Sequence, residues 1–229
     1  MNPAIPYTIE GHVAVITMNN PPANTWTRDS LDALADLIKQ FNANKDIYSL
    51  VITGEGEKFF SAGADLKLFA TGDKQVAADM STAFGRAFEV LSQFRGLSIA
   101  AINGYAMGGG LEVALACDLR IAESQALMAL PEAAVGLLPC AGGTQNLAWL
   151  VGEGWAKRMI LCGERVDAQK ALDIGLVEAV TEPGQALAEA MQWAQKSERQ
   201  SPTSIAACKR LIQTARREPM FAGMGYERD

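Results

Sequence analysis

The stretch that decides the fold is "NGYAMGGGLEVALACD", residues 103–118. A β-like run comes into it from "LSIAAI". Three glycines turn the chain, and a run of small apolar residues then reads as a helix through Cys117. A strand that ends in glycines and opens a helix leaves the first helical N–H groups without internal partners, at the positive end of the helix dipole. Such a turn can hold a phosphate or a developing oxyanion. Within residues 103–117 the only charged side chain is Glu112. Its neighbours Leu111, Val113, Ala114, Leu115 and Ala116 make the helix apolar nearly all round, and therefore buried.

Working outward, strand and helix patterns alternate over the first 130 residues, which favours an α/β fold with right-handed crossovers. Strands are expected at "HVAVITMNN" (12–20), "YSLVIT" (48–53) and "LSIAAINGYA" (97–106), with short ones at "LRIA" and "ALMALPE". Thr27 is placed to cap a helix whose buried face carries Leu31, Leu34, Ile38 and Phe41. A second amphipathic helix is marked by Met80, Phe84, Ala87, Phe88 and Leu91. "KFFSAGADLKLF" (58–69) reads as a tight loop held on a core. From residue 143 helices dominate, with breaks near Gly152, Gly163 and Gly175. "RQSPTS" (199–204) is a joint before a helix in which Ile205, Leu211, Ile212 and Ala215 share a face. The chain then ends at "MGYERD" without a helix stop signal and reads as incomplete there. The division expected is a core over 1–198 and the start of a helical oligomerisation region over 199–229.

The 229 residues are 49% hydrophobic and 20% charged, with a formal net charge of −6. That is globular composition, and the basic residues do not cluster, which argues against nucleic acid as a partner. Cys117, Cys140, Cys162 and Cys208 form no CxxC pair, and there is one histidine, His12, so metal-site spacing is missing. A disulfide framework is not expected, and a cytoplasmic setting is. The N-terminal "MNPAIPYTIEG" has neither the basic nor the apolar region of a signal peptide. Residues 96–117 have the length of a membrane span, but five glycines, Asn103 and Glu112 make that costly.

Glycines alone are weak evidence. The dinucleotide fingerprint started at Gly108 needs glycine where Val113 stands, and neither GK[ST] nor a G-x-S-x-G elbow is present. "GGG" can be a plain turn, and Glu112 a first-turn glutamate favoured by the helix dipole. That dipole gain is only about 0.3–1 kcal/mol and does not explain a carboxylate inside a core. The sharper reading is a carboxylate kept for chemistry with a shifted pKa. "ALPEAAVGLLPCAGGTQ" (129–145) repeats the situation at Glu132, which is either a loop-to-helix cap or the partner of Glu112. Two carboxylates in one apolar site push their pKa values apart, which leaves one as acid and the other as base.

Together "FSAGADL", "AINGYAMGGGLEVALACDLRIA", "LPEAAVGLLPCAGGTQ" and "SPTSIAACKRL" resemble, in order and spacing, the enoyl-CoA hydratase/isomerase (crotonase) superfamily from about residue 7 to the end. The resemblance implies a spiral of repeated ββα units followed by C-terminal helices, a homotrimer or hexamer, and an acyl-CoA thioester substrate. It implies that the backbone N–H groups of Ala64 and Gly109 hold the thioester oxygen. Glu132 then delivers a proton to Cα, while Glu112 orients and helps deprotonate the water that adds to Cβ of a trans-2-enoyl-CoA. The product is a 3-hydroxyacyl-CoA, as in β-oxidation and fatty acid metabolism generally, and no metal or cofactor is implied beyond the coenzyme A of the substrate. Ala23, Ala62, Gly63, Asp65, Leu66, Gly108 and Pro131 fall at substrate-binding positions. Lys58 and Lys67 flank that loop and either meet phosphates or are merely solvated.

Three departures stand out. Cys140 replaces a common glycine and reads as a small packed thiol. Met128 and Ala129 replace a common "FG", with consequences expected for the acyl pocket. The family's last helices are missing from the sequence. Isomerases of the family keep one functional acid–base carboxylate, so the presence of both Glu112 and Glu132 favours a hydratase over an isomerase or a non-catalytic acyl-CoA-binding subunit.

Overall fold

The computed structural model describes residues 5–69 and 72–228. Residues 1–4, the start of the segment read for a signal peptide, lie outside them, as do 70, 71 and 229. The elements in chain order are β1 (Tyr7–Glu10), β2 (Val13–Met18), α1 (Arg28–Ala43), β3 (Ser49–Gly54), β4 (Phe59–Ser61), α2 (Lys74–Ser92), β5 (Leu97–Ile102), β6 (Tyr105–Met107), α3 (Gly109–Ala116), β7 (Leu119–Glu123) and β8 (Leu127–Ala129). They continue as α4 (Gly143–Leu161), β9 (Val166–Asp167), α5 (Ala168–Asp173), β10 (Ala179–Thr181), α6 (Ala186–Glu198), α7 (Pro202–Thr214) and α8 (Met220–Tyr226). Single 3-10 turns occupy Leu66–Phe69 and Glu132–Val135.

Each turn of the chain lays one strand in each of two sheets and then adds a helix: β3–β4–α2, then β5–β6–α3. The larger sheet has the order β1-β2-β3-β5-β7-β10, antiparallel only between β1 and β2. The smaller has the order β4-β6-β8-β9, antiparallel only between β8 and β9. This is the repeated ββα arrangement that the resemblance implies.

The run 97–106 is therefore two strands in two sheets, not one. Asn103 makes the corner. Its side-chain amide donates to Gly54 O at 2.9 Å and Gly56 O at 2.6 Å, and its Oδ1 accepts from Gly54 N at 3.1 Å. That pins the bend against the turn after β3. The central strands β2, β3, β5 and β7 are covered on both faces, which is why they read as largely apolar runs. One face packs in the main core. The other carries Val13, Val15, Val51, Ile99 and Ile121 against Ala186, Ala190 and Ala194 of α6.

Helix α1 starts where expected, with a capping box between Thr27 and Ser30. The loop reading of 58–69 misses β4, and the short strands β1, β9 and β10 were not anticipated. Gly152, at φ 77°, breaks α4 internally, in agreement with the break expected there. In α7 the shared face is only partly covered: Ile205 and Leu211 are half-buried, while Ile212 and Ala215 are exposed.

Candidate active site

All eight residues of α3 are buried, so the glycine turn and Glu112 are part of the core. The turn and the "FSAGADL" loop fit against each other with no room for side chains. A Cβ on Gly110 would lie 2.0 Å from the Ser61 carbonyl oxygen. Gly63 has a φ of +83°, and a Cβ on it would lie 2.9 Å from Gly109 N. Phe84 of α2 seals the third side, its ring edge 2.6 Å from where a Cβ on Gly109 would stand.

Ala64 and Gly109 both line a cavity of about 460 Å³. Neither N–H donates to a backbone carbonyl among the described residues. For Gly109 this follows from its place as the first residue of α3.

Both glutamates line the same cavity, in opposite surroundings. Glu112 is 2% exposed. Its Oε1 accepts from Ala141 N at 2.8 Å and Gly143 N at 2.9 Å. Burial pushes its pKa up, and the backbone donors at Ala141, Gly143 and Cys140 pull it back towards ionisation. Glu132 opens the 3-10 turn after Pro131. Both of its carboxylate oxygens are buried, and among the described residues no other residue hydrogen-bonds to them. Its pKa is pushed up to about 7, first by burial and further by the charge of Glu112, with its own backbone N–H opposing. A Cβ on Gly108 would come within 3.2 Å of Glu132 Oε1, so this carboxyl group lies over the glycine turn. The site thus unites two backbone donors that meet no backbone carbonyl among the described residues, an anchored carboxylate and a carboxyl group whose pKa is raised to about 7.

Of the sequence-predicted residues, Ala62, Ala64, Leu66, Gly108, Gly109, Glu112, Pro131 and Glu132 line the cavity. Ala23, Gly63 and Asp65 do not; they hold the loop instead. Ala23 O accepts from Ala62 N at 2.9 Å, and Gly63 O from Trp26 N at 2.8 Å. Asp65 Oδ1 accepts from Lys67 N at 3.0 Å, which starts the following turn. Lys58 and Lys67 lie off the cavity lining; Lys58 Nζ sits 5.4 Å from the Phe59 ring centre.

Met128 and Ala129 are fully buried in β8 and do not themselves line the cavity. Cys140 does line it, half-buried, and Ser81 lines the same cavity. Its thiol pKa is raised by burial and then by Glu112. Sequence reasoning missed Ser81, Phe69, Ala77, Met107 and the apolar wall Val135, Leu137 and Leu138. Met80 and Phe84 had been assigned to the core by their helical spacing, and they serve core and cavity at once. Among the described residues no cluster of three or more His, Cys, Asp or Glu is placed to hold a metal ion.

A ββα spiral with paired backbone donors beside two carboxyl groups defines a crotonase-fold, acyl-CoA-binding class of protein. The comparisons agree: the family model described as enoyl-CoA hydratase/isomerase matches residues 8–228, and the chain belongs to that family. It is 37% identical to the short-chain-enoyl-CoA hydratase of Clostridium acetobutylicum over 95% of this chain and 84% of that one. It superposes on Pseudomonas aeruginosa DspI with a TM-score of 0.97 and 63% identity, covering 99% of this chain and 93% of that one. A Thermobifida fusca protein solved in complex with CoA has a TM-score of 0.90 at 30% identity, with 99% and 91% covered.

Proposed function

We propose that the protein is an enoyl-CoA hydratase that adds water syn across a trans-2-enoyl-CoA to give a 3-hydroxyacyl-CoA. The observation that carries this reading is the division of labour between the two carboxyl groups. Glu112, held by two backbone N–H donors, is suited to be the ionised base. Glu132, half-buried with its carboxylate oxygens out of water and a pKa of about 7, is suited to be the protonated acid.

The N–H groups of Ala64 and Gly109 hold the thioester oxygen as negative charge develops on it. Glu112 takes a proton from water as its oxygen bonds to Cβ, and Glu132 gives its proton to Cα. One proton is lost and one gained, and no electrons change hands, so the reaction calls for no redox cofactor.

We place the activity in acyl-chain metabolism of the β-oxidation type, in the cytoplasm; all four cysteines are free. Among the described residues no helix is long and apolar enough to cross a membrane. We propose self-association into trimers or hexamers through the 199–229 region, since α8 leaves Met220 and Phe221 exposed. Light scattering of the purified protein tests that assignment.

Mixing the protein with crotonyl-CoA tests the reaction. Loss of the ultraviolet absorbance of the conjugated thioester, with 3-hydroxybutyryl-CoA as the product, is the expected result. Bound acyl-CoA with no turnover would leave a binding role, and conversion to a positional isomer alone would make the chain an isomerase.

A further inference from the structure

We propose that Arg120 is a positioning residue for the glycine turn: clamped by Glu178, it holds α3 by its C-terminal end and so fixes where the Gly109 N–H stands. The role of that N–H as a donor to the thioester oxygen rests on the hydratase reading above.

Arg120, in β7, is 1% exposed and is the one charged group among the largest fully buried side chains. Its Nη1 donates to Cys117 O at 3.0 Å and to Ala114 O at 3.4 Å. Nη2 donates to Asp118 O at 3.2 Å, and Nε to Leu176 O at 2.8 Å. Nη2 also reaches Glu178 Oε1 at 2.6 Å, the only carboxylate paired with it among the described residues. That spends every donor of a guanidinium. The two residues are joined through their backbones as well: Arg120 N donates to Glu178 Oε2, and Glu178 N to Arg120 O at 2.9 Å.

Ala114, Cys117 and Asp118 are the end of α3 and the residues just past it. The last carbonyls of a helix have no internal partner, and a cation there is favoured by the helix dipole. The consequence lies at the other end. Helix α3 has eight residues, so only about 12 Å separate its ends. Glu112 apart, its side chains are apolar or absent, and apolar packing is non-directional, which leaves a short helix free to slide or turn. Directional bonds stop that at two places: Glu112 is tied to Ala141 and Gly143, and the C-terminal end is tied to Arg120. No side chain caps the N-terminal end at Gly108, which keeps its N–H groups free for a ligand and leaves that end without an anchor of its own. A buried ion pair is weak evidence for stability, since apolar residues often replace one without loss. What this one supplies is a fixed place for the helix.

The test uses Arg120→Lys, which keeps the charge and loses the fork, and Glu178→Ala, which leaves the fork unclamped. For crotonyl-CoA hydration kcat should fall by about 10–10²-fold while KM moves less than about threefold, the split expected when a donor is misplaced and substrate binding is kept. Glu178→Ala carries the test if circular dichroism shows that the lysine variant is unfolded. The second readout is the absorption band of bound trans-4-dimethylaminocinnamoyl-CoA. Its amino group makes this conjugated thioester resist water addition, and its band moves to the red as donors polarise the carbonyl. Wild type should shift the band, and the folded variants should bind the thioester yet shift it clearly less. A role in stability alone would leave the shift intact.

Folded variants that keep the full red shift, or that hydrate crotonyl-CoA with kcat within about threefold of wild type, would overturn the positioning role. So would a wild type that binds the chromophore without shifting it. The two readings fail separately. A red shift lost in the variants, with no turnover of crotonyl-CoA by wild type, would sink hydration and leave the role of Arg120 standing. Turnover by wild type, with the shift unchanged in the variants, would sink the positioning role alone.

Discussion

The two walls of the cavity are built on opposite principles. The α3 wall is core: all eight of its residues are buried, and Glu112 sits in it with both lobes of one oxygen occupied by backbone donors. The facing 131–138 wall is half-open, with Val135 and Leu138 exposed and the Glu132 carboxyl group bonded by no other described residue. A carboxylate needs fixed donors to stay ionised in an apolar site, and a carboxyl group needs their absence to keep its proton. On the proposed hydratase reading, the difference between the walls is the difference between a base and an acid.

The strongest way to break the comparison is to remove either charge-bearing group while keeping its shape. Glu112→Gln and Glu132→Gln should each lower kcat by about 10²–10⁴, the usual worth of acid–base catalysis. Steady-state hydration of crotonyl-CoA reads this directly, and a variant within about threefold of wild type would remove its residue from the mechanism. Next is the turn itself. Gly110→Ala puts a methyl group against the Ser61 carbonyl and must push the loop carrying Ala64 off the turn carrying Gly109. Loss of about 10²–10³ in kcat is expected, the worth of one oxyanion donor. Full activity in a folded Gly110→Ala protein would mean that the two donors do not work as a pair.

Truncation sharpens the contrast in stability. Glu112→Ala leaves the N–H groups of Ala141 and Gly143 buried and unpaired, at a cost of about 1–3 kcal/mol. Glu132→Ala strands no donor of another described residue and should cost clearly less in denaturant melts. Equal losses from the two truncations would contradict the division between anchored and free.

Much of this was legible in the sequence. Glu112 stood out because a charge inside an apolar run has no cheap structural reason, and the glycines because a strand-to-helix turn exposes N–H groups. The split of 97–106 was not legible, because it depends on Asn103 reaching back to Gly54 and Gly56, about fifty positions earlier in the chain. Strands of two or three residues, such as β9 and β10, are too short to show a period and exist only through pairing with β8 and β7. The double role of Met80 and Phe84 was hidden for a related reason: helical spacing marks an apolar face without saying whether it meets core or cavity. Ala23, Gly63 and Asp65 matched the family by position, yet their contacts here hold the loop and do not line the cavity.

The smallest expected effect is the most specific to Glu132. Its pKa is about 7 in the folded protein, against 4.5 for the ordinary side chain. Between those two values the folded state binds more protons than the unfolded one, so stability falls as pH rises through the window and is level above it. Half-exposure of the residue limits the swing to roughly 1–2 kcal/mol. Glu132→Gln has no proton to lose, so this part of the pH dependence should vanish, and the variant should match or exceed wild type in stability at pH 8 while losing activity. Thermal melts of the two proteins at pH 5 and pH 8 provide the check. If wild type gains stability between those values and Glu132→Gln gains as much, the carboxyl group is ionised in the fold like any surface glutamate. The acid of the pair would then have to be sought elsewhere in the cavity, where the Cys140 thiol, with its own raised pKa, is the remaining titratable group besides Glu112.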